Sequence, residues 1–200
     1  MAVAVAALVS FSAAASTGAA TNDAVATQVE LRLKGLAGAA APNRSSTPQS
    51  GNRTKSAMSM LEEGVIAGIN DIRRARGLRP LRTNARLAAA GDFHSRDMAR
   101  KGYFEHDSAN GTAFWRRIER FYPSRGFRSW TVGENLLWGS QTYGPAFALR
   151  EWMNSPPHRA NILSREWREI GIGAVTVASA PGEYRGRAVT IVTADFGARR

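Results

Sequence analysis

Cysteine is absent from the 200 residues. That excludes a disulfide framework and a Cys-ligated zinc site, so any fold must hold by packing alone. Histidine is scarce: His94, His106 and His158 are the only three, and all imidazole chemistry must come from them. Lysine is as rare. Lys34, Lys55 and Lys101 are the only lysines, which leaves 24 arginines among the 27 basic residues. No apolar run reaches the roughly 20 residues needed to span a bilayer. The metalloprotease pattern His-Glu-x-x-His does not occur, and no serine sits in a nucleophile elbow.

What is present is a chain of one-domain size with 44% hydrophobic residues, enough for a core, and a net charge of +11. A basic surface favours anionic partners such as a cell-envelope polymer or anionic lipid. The arginines are scattered, with Arg73-Arg74-Ala75-Arg76 and Arg116-Arg117 as the densest clusters. No nucleic-acid motif accompanies them, so nucleic acid is not an expected partner.

Residues 1–20 read as a signal peptide. Ala2 to Phe11 form a short apolar run, and small residues follow with cleavage points after Ala15 or Ala20. No basic residue precedes Arg32, however, and a disordered Ala-rich terminus is the alternative. Residues 21–57 read as a flexible linker, small, polar and Pro-containing from Ala39 to Asn52, with a short helix possible around Ala24 to Leu36. The folded domain is expected over 58–197. There, Leu61, Val65, Ile69 and Ile72 recur at helical spacing and Gly77 is a stop. Asn84 is placed to cap a second helix that Gly102 ends, with Leu87, Ala90, Gly91 and Met98 on its inner side. Thr112 is placed to cap a third helix through Phe121, and Pro145 to start a fourth running to about Asn154. Ile170–Val177 and Ala188–Phe196 read as strands around a Pro181-Gly182-Glu183 turn. Helices first and paired strands late imply an α+β fold, an antiparallel sheet packed between helices.

Three segments carry the candidate chemistry. His106 lies in Tyr103-Phe104-Glu105-His106-Asp107-Ser108, just after a helix end. Glu134 lies in Gly133-Glu134-Asn135, flanked by Val132, Leu136, Leu137 and Trp138, so that a carboxylate there needs a partner. His158 lies in Trp152-Met153-Asn154-Ser155-Pro156-Pro157-His158-Arg159. Read by residue type alone, each has a plain alternative: a histidine holding its loop, a surface Glu in a turn, a histidine at a helix start. His94, in His94-Ser95-Arg96-Asp97-Met98, reads as structural, one helical turn from Asp97.

In this order the segments resemble the CAP superfamily of cysteine-rich secretory, antigen 5 and pathogenesis-related 1 proteins, in its cysteine-free bacterial branch. The resemblance implies an α-β-α sandwich, export from the cell, and a cavity whose rim carries His106, Glu134 and His158, shaped by Asn135, Trp152 and Ser155. Where many members carry a second Glu, this chain has Ser155, so the implied set holds one carboxylate. Two imidazoles and a carboxylate suit zinc or another divalent metal with an open position for water. The function expected is extracellular or cell-envelope interaction by a monomer, without catalysis, with an envelope polymer, small lipid or sterol as ligand. The alternative is a hydrolase: metal-dependent, or serine-type with Ser108 or Ser155 as nucleophile, a histidine as base and Glu134 orienting it. Trp115, Trp130, Trp138 and Trp167 are expected to serve chiefly as core or rim packing.

Overall fold

The computed structural model describes residues 3–8, 50–140 and 142–200. The expected cleavage points, most of the linker and the possible helix near Ala24 lie outside these residues. Helix α1 spans Ser50–Arg74. It therefore takes in Ser50–Ser56, which the sequence reading gave to the linker. No proline falls between Pro48 and Pro80, so nothing stops the helix from extending ahead of its apolar stripe. That stripe, Leu61, Val65, Ile69 and Ile72, is buried as its spacing requires.

Helix α2 (Ala85–Lys101) starts and stops where expected. The Asn84 side chain accepts from the Arg86 and Leu87 amides, and Gly102 closes the helix in the left-handed region at φ 75°. Helix α3 spans Phe114–Phe121. Its cap is not Thr112: the carboxylate of Asp107 accepts from the Phe114 amide at 2.9 Å, because the chain turns back at 108–111, where the Gly111 amide donates to the Ser108 carbonyl. Helix α4 spans Pro145–Asn154 as expected. Helix α5 (Pro156–Leu163) follows after a single residue, with Pro156 and Pro157 fitting its first turn, where no amide hydrogen is needed.

Among the described residues the sheet has five strands in the order β1-β3-β5-β4-β2: β1 Val3–Leu8, β2 Arg82–Thr83, β3 Trp130–Gly139, β4 Glu169–Ala180 and β5 Arg187–Arg199. A short 3-10 turn at Gly182–Tyr184 links β4 to β5. The long pairs are antiparallel, and only the two-residue β2 runs parallel to its neighbour β4. The apolar run assigned to a leader thus includes a strand at the sheet edge, beside β3. The expected strands in 170–177 and 188–196 are the middles of β4 and β5, while β3 is a strand the sequence reading did not find.

Helices cover both faces. On one, α1, α4 and α5 pack with Trp167 over Leu137, Ile170, Ile172, Val192, Ala194 and Phe196. On the other, α2 and α3 supply Leu87, Ala90, Met98, Phe114 and Ile118 against Val132, Leu136, Trp138 and Ile191. This is the α-β-α sandwich. Helix α2 rests directly on backbone: a Cβ on Gly171 would lie 2.0 Å from the Ala88 nitrogen, and one on Gly173 1.9 Å from the Asp92 nitrogen. Ser95 locks this approach by donating to the Gly173 carbonyl, with Thr193 Oγ1 2.9 Å from the same hydroxyl.

Candidate functional site

Glu134 and Asn135 are consecutive residues of β3, so their side chains point to opposite faces of the sheet. Cross-strand pairing identifies which. Glu134 lies opposite Asp195 of β5, and Asp195 opposite Gly171 of β4, the residue pressed against α2. Glu134 and Asp195 therefore face α2 and α3. Asn135 faces α5, where its Nδ2 donates to the His158 carbonyl at 3.1 Å and its Oδ1 accepts from Asn161 at 2.9 Å. Asn161 Nδ2 also donates to the Glu134 carbonyl.

Glu134 is fully buried and its two oxygens are engaged separately. Oε1 accepts from His106 Nδ1 at 2.7 Å, and Oε2 from the Arg117 guanidinium. Arg117 reaches this point from α3 and is itself buried. Its second terminal nitrogen donates to the His106 carbonyl at 2.6 Å, so one guanidinium ties the carboxylate to the loop that carries the imidazole. Burial alone would raise the Glu134 pKa. The Arg117 charge, with lesser help from His94 and His106, overrides it and holds the carboxylate down at about 2. Asp195 beside it has no such partner. Burial, then the Glu134 charge, pushes it well above the usual carboxylate range, which favours its protonated form.

The loop bearing His106 is fixed from several sides. Gly102 turns the chain out of α2, and its carbonyl accepts from Glu183. A side chain at Gly102 would run into Pro181. The Tyr184 hydroxyl donates to the Tyr103 carbonyl, and the Tyr103 hydroxyl to Asp97. His94 Nε2 donates to the Glu105 carbonyl at 2.9 Å. Burial pushes the His94 ring down to about 4, which keeps it neutral. His94 thus holds the loop through the Glu105 carbonyl, while Asp97, one turn on, accepts from Arg100, Lys101 and Tyr103.

His158 lies at the start of α5. Its Nδ1 lies 2.7 Å from the Ser155 hydroxyl, three residues earlier at the start of α5. Trp152 is buried and donates to the Leu136 carbonyl, which fixes α4 against β3. Of the expected metal set, the structure joins His106 to Glu134 and gives both the partner Arg117. Among the described residues no three His, Asp or Glu side chains are grouped to hold a metal ion. The donor set does not suit one either: both Glu134 oxygens are occupied, one by a permanent cation that a divalent ion would have to displace. The zinc expectation gains no support from this arrangement.

Arg117 and Asp195 are the residues that sequence reasoning missed. A signal existed for the first. Phe114, Arg117, Ile118 and Phe121 recur at i, i+3, i+4 and i+7, which puts Arg117 on the apolar side of a short helix. Asp195 in the apolar run Ala188–Phe196 was a similar anomaly.

With this geometry in place, the match to known proteins is decisive. Residues 66–196 match the family described as the Cysteine-rich secretory protein family, CAP. The chain belongs to that family. Uncharacterized protein YkwD of Bacillus subtilis is 34% identical over 136 residues, 66% of this chain and 51% of YkwD. Uncharacterized membrane protein YlbC of the same organism is 30% identical over 112 residues, 56% of this chain and 31% of YlbC. The chain thus spans about half or less of the curated relatives it matches. An extracellular Bacillus anthracis protein containing an SCP domain superposes with a TM-score of 0.58 at 26% identity, over 76% of this chain and 44% of that one. An outer surface protein of Borrelia burgdorferi, at 20% identity, shares the fold with a TM-score of 0.54 over 74% of this chain and 96% of its own. Among the described residues no helix is long and apolar enough to cross a membrane.

Proposed function

We propose that this CAP domain is exported and acts by binding at the cell envelope, without catalysing a reaction, and that its His106–Glu134–Arg117 cluster is a structural clamp. The observation that carries the second half is the closed state of Glu134. A general base or metal ligand needs an oxygen available to a reacting group. Here both oxygens are taken inside the protein, and the bound guanidinium makes the carboxylate a poor proton acceptor at neutral pH. Support for the first half is the family, the extracellular naming of the B. anthracis neighbour, and a charge of +11 that suits anionic envelope material. Sedimentation of the purified chain with isolated envelope fragments tests the reading. Retention that persists in Glu134→Gln is expected. Absence of retention, or hydrolysis of peptide or ester substrates that Glu134→Gln abolishes, overturns it.

One contact favours a second reading, a serine-type hydrolase. Ser155 Oγ and His158 Nδ1 are 2.7 Å apart, within nucleophile–base range. Against it, Ser155 and His158 are three residues apart at the start of α5, a spacing at which helix geometry alone brings two side chains together. Glu134, the orienting carboxylate this mechanism would use, is committed to His106 and Arg117. Labelling by a fluorophosphonate probe that disappears in Ser155→Ala would establish the hydrolase in place of the binder.

A further inference from the structure

Helix α3 has one buried side, which delivers Arg117 to Glu134, and one outer side that the cluster does not use. Trp115 is 38% exposed there and Phe127, in the loop after the helix, 44%. Neither belongs to the buried core clusters, so packing does not account for them. Each is faced by a guanidinium: Arg116 lies 5.1 Å from the Trp115 ring centre, and Arg199 4.6 Å from that of Phe127. Arg116 is exposed on α3 and Arg120 lies one turn further on, while Arg125 and Arg128 are exposed in the loop. Glu119 is the only acid between Phe114 and Trp130, and its carboxylate accepts from Ser124. The Arg200 carbonyl accepts from the Arg128 and Ser129 amides, which holds a further arginine beside the patch.

We propose that this outer surface of α3 and the loop that follows is a docking site for an anionic lipid surface. The proposal rests on the envelope-binding reading and names the partner. Arginines supply attraction to phosphate headgroups, and exposed Trp and Phe suit the boundary between headgroup and acyl chain. A soluble polyanion would use the arginines and leave the two rings in water. The charge is matched to the ligand and the aromatics select the lipid over the polymer.

The test uses the full chain with vesicles of phosphatidylcholine alone and of phosphatidylcholine mixed with phosphatidylglycerol. Binding is expected only to the mixed vesicles, and it should fall steeply between ~0.1 and ~0.5 M salt. Arg120→Ala/Arg125→Ala should weaken it about twenty-five-fold, at about fivefold per arginine. Trp115→Ala/Phe127→Ala should weaken it about tenfold. Arg79→Ala/Arg165→Ala removes two exposed arginines elsewhere and should change it no more than about twofold. None of these positions is buried, and matched thermal unfolding of the variants checks that each folds. Equal loss in the remote pair, tighter binding to polyphosphate with no effect of the aromatic changes, or no vesicle binding would each overturn the proposal. If vesicles fail while envelope fragments still retain the chain, the lipid site alone falls. If both fail, so does the envelope reading.

Discussion

Replacing Arg117 by Met keeps the length and apolar stem of the side chain and removes its charge. The guanidinium makes two buried bonds, to Glu134 Oε2 and to the His106 carbonyl, and its charge holds the buried Glu134 ionised. Without it Glu134 is a buried charge left with the His106 hydrogen bond. Breaking a buried pair from one side costs about 3–5 kcal/mol, which for a chain of this size is a fall of roughly 6–20 °C in melting temperature. The deficit should depend on pH in a definite sense. The folded-state pKa of Glu134 is depressed below its unfolded value, so the pair contributes its full stability above about pH 4.5 and loses it as pH falls toward about 2. Arg117→Met should therefore be most damaging at neutral pH and approach wild type in strong acid. Glu134→Gln/Arg117→Met should recover most of the loss, because no buried charge remains. Chemical denaturation of the four proteins of this cycle, at pH 7 and near pH 3, measures all of it. A loss below ~1 kcal/mol for Arg117→Met, or no recovery in the double variant, would show that the cluster is not a buried ion pair and would remove the main support for reading Glu134 as structural.

Other outcomes follow from the same geometry. Calorimetric titration of zinc at neutral pH should show no stoichiometric binding that His106→Ala/His158→Ala removes; such binding would restore the metal reading. Asp195→Asn should stabilise the domain at pH 7 by about 1 kcal/mol, since a raised folded-state pKa means that stability is lost as pH climbs above the unfolded value of Asp; an unchanged or lower unfolding midpoint would count against the neutral-acid assignment. Burial lowers the His94 pKa to about 4, so stability should decline as pH drops from about 6.5 to 4, by about 3 kcal/mol, and His94→Gln should flatten that limb of the profile. Gly173→Ala should cost about 3 kcal/mol or more, read as reduced yield or an early melt, because the added Cβ meets the backbone of α2.

The helices were legible where one face is apolar and the ends carry caps. Leu61–Ile72, the Asn84 and Gly102 pair and Pro145 all mark elements that exist. Strand β3 was not legible: Val132–Trp138 is buried on both faces, so Gly133-Glu134-Asn135 interrupts an apolar run and reads as a turn. Helix α5 was hidden by Pro156-Pro157, which stop a helix in mid-course and suit one at its start. At the site, the residues with family-like spacing were found, whereas their partners depended on long-range pairing. Nothing local in the sequence says that Asp195 lies across from Glu134, or that the inward Arg117 ends on the Glu134 carboxylate. The start of α1 ahead of its apolar stripe was not legible either, since composition alone does not register where a helix begins.

The Gly-Glu-Asn step of β3 has a consequence for how the molecule comes apart. One peptide sends a carboxylate into the α2–α3 layer and an amide into the α5 layer, and the Glu134 carbonyl between them accepts from Asn161. Slackening either layer shifts the strand that anchors the other. The two outer layers should therefore open as one cooperative unit in hydrogen exchange, with amides in α3 and α5 acquiring deuterium at matching free energies although the sheet separates them.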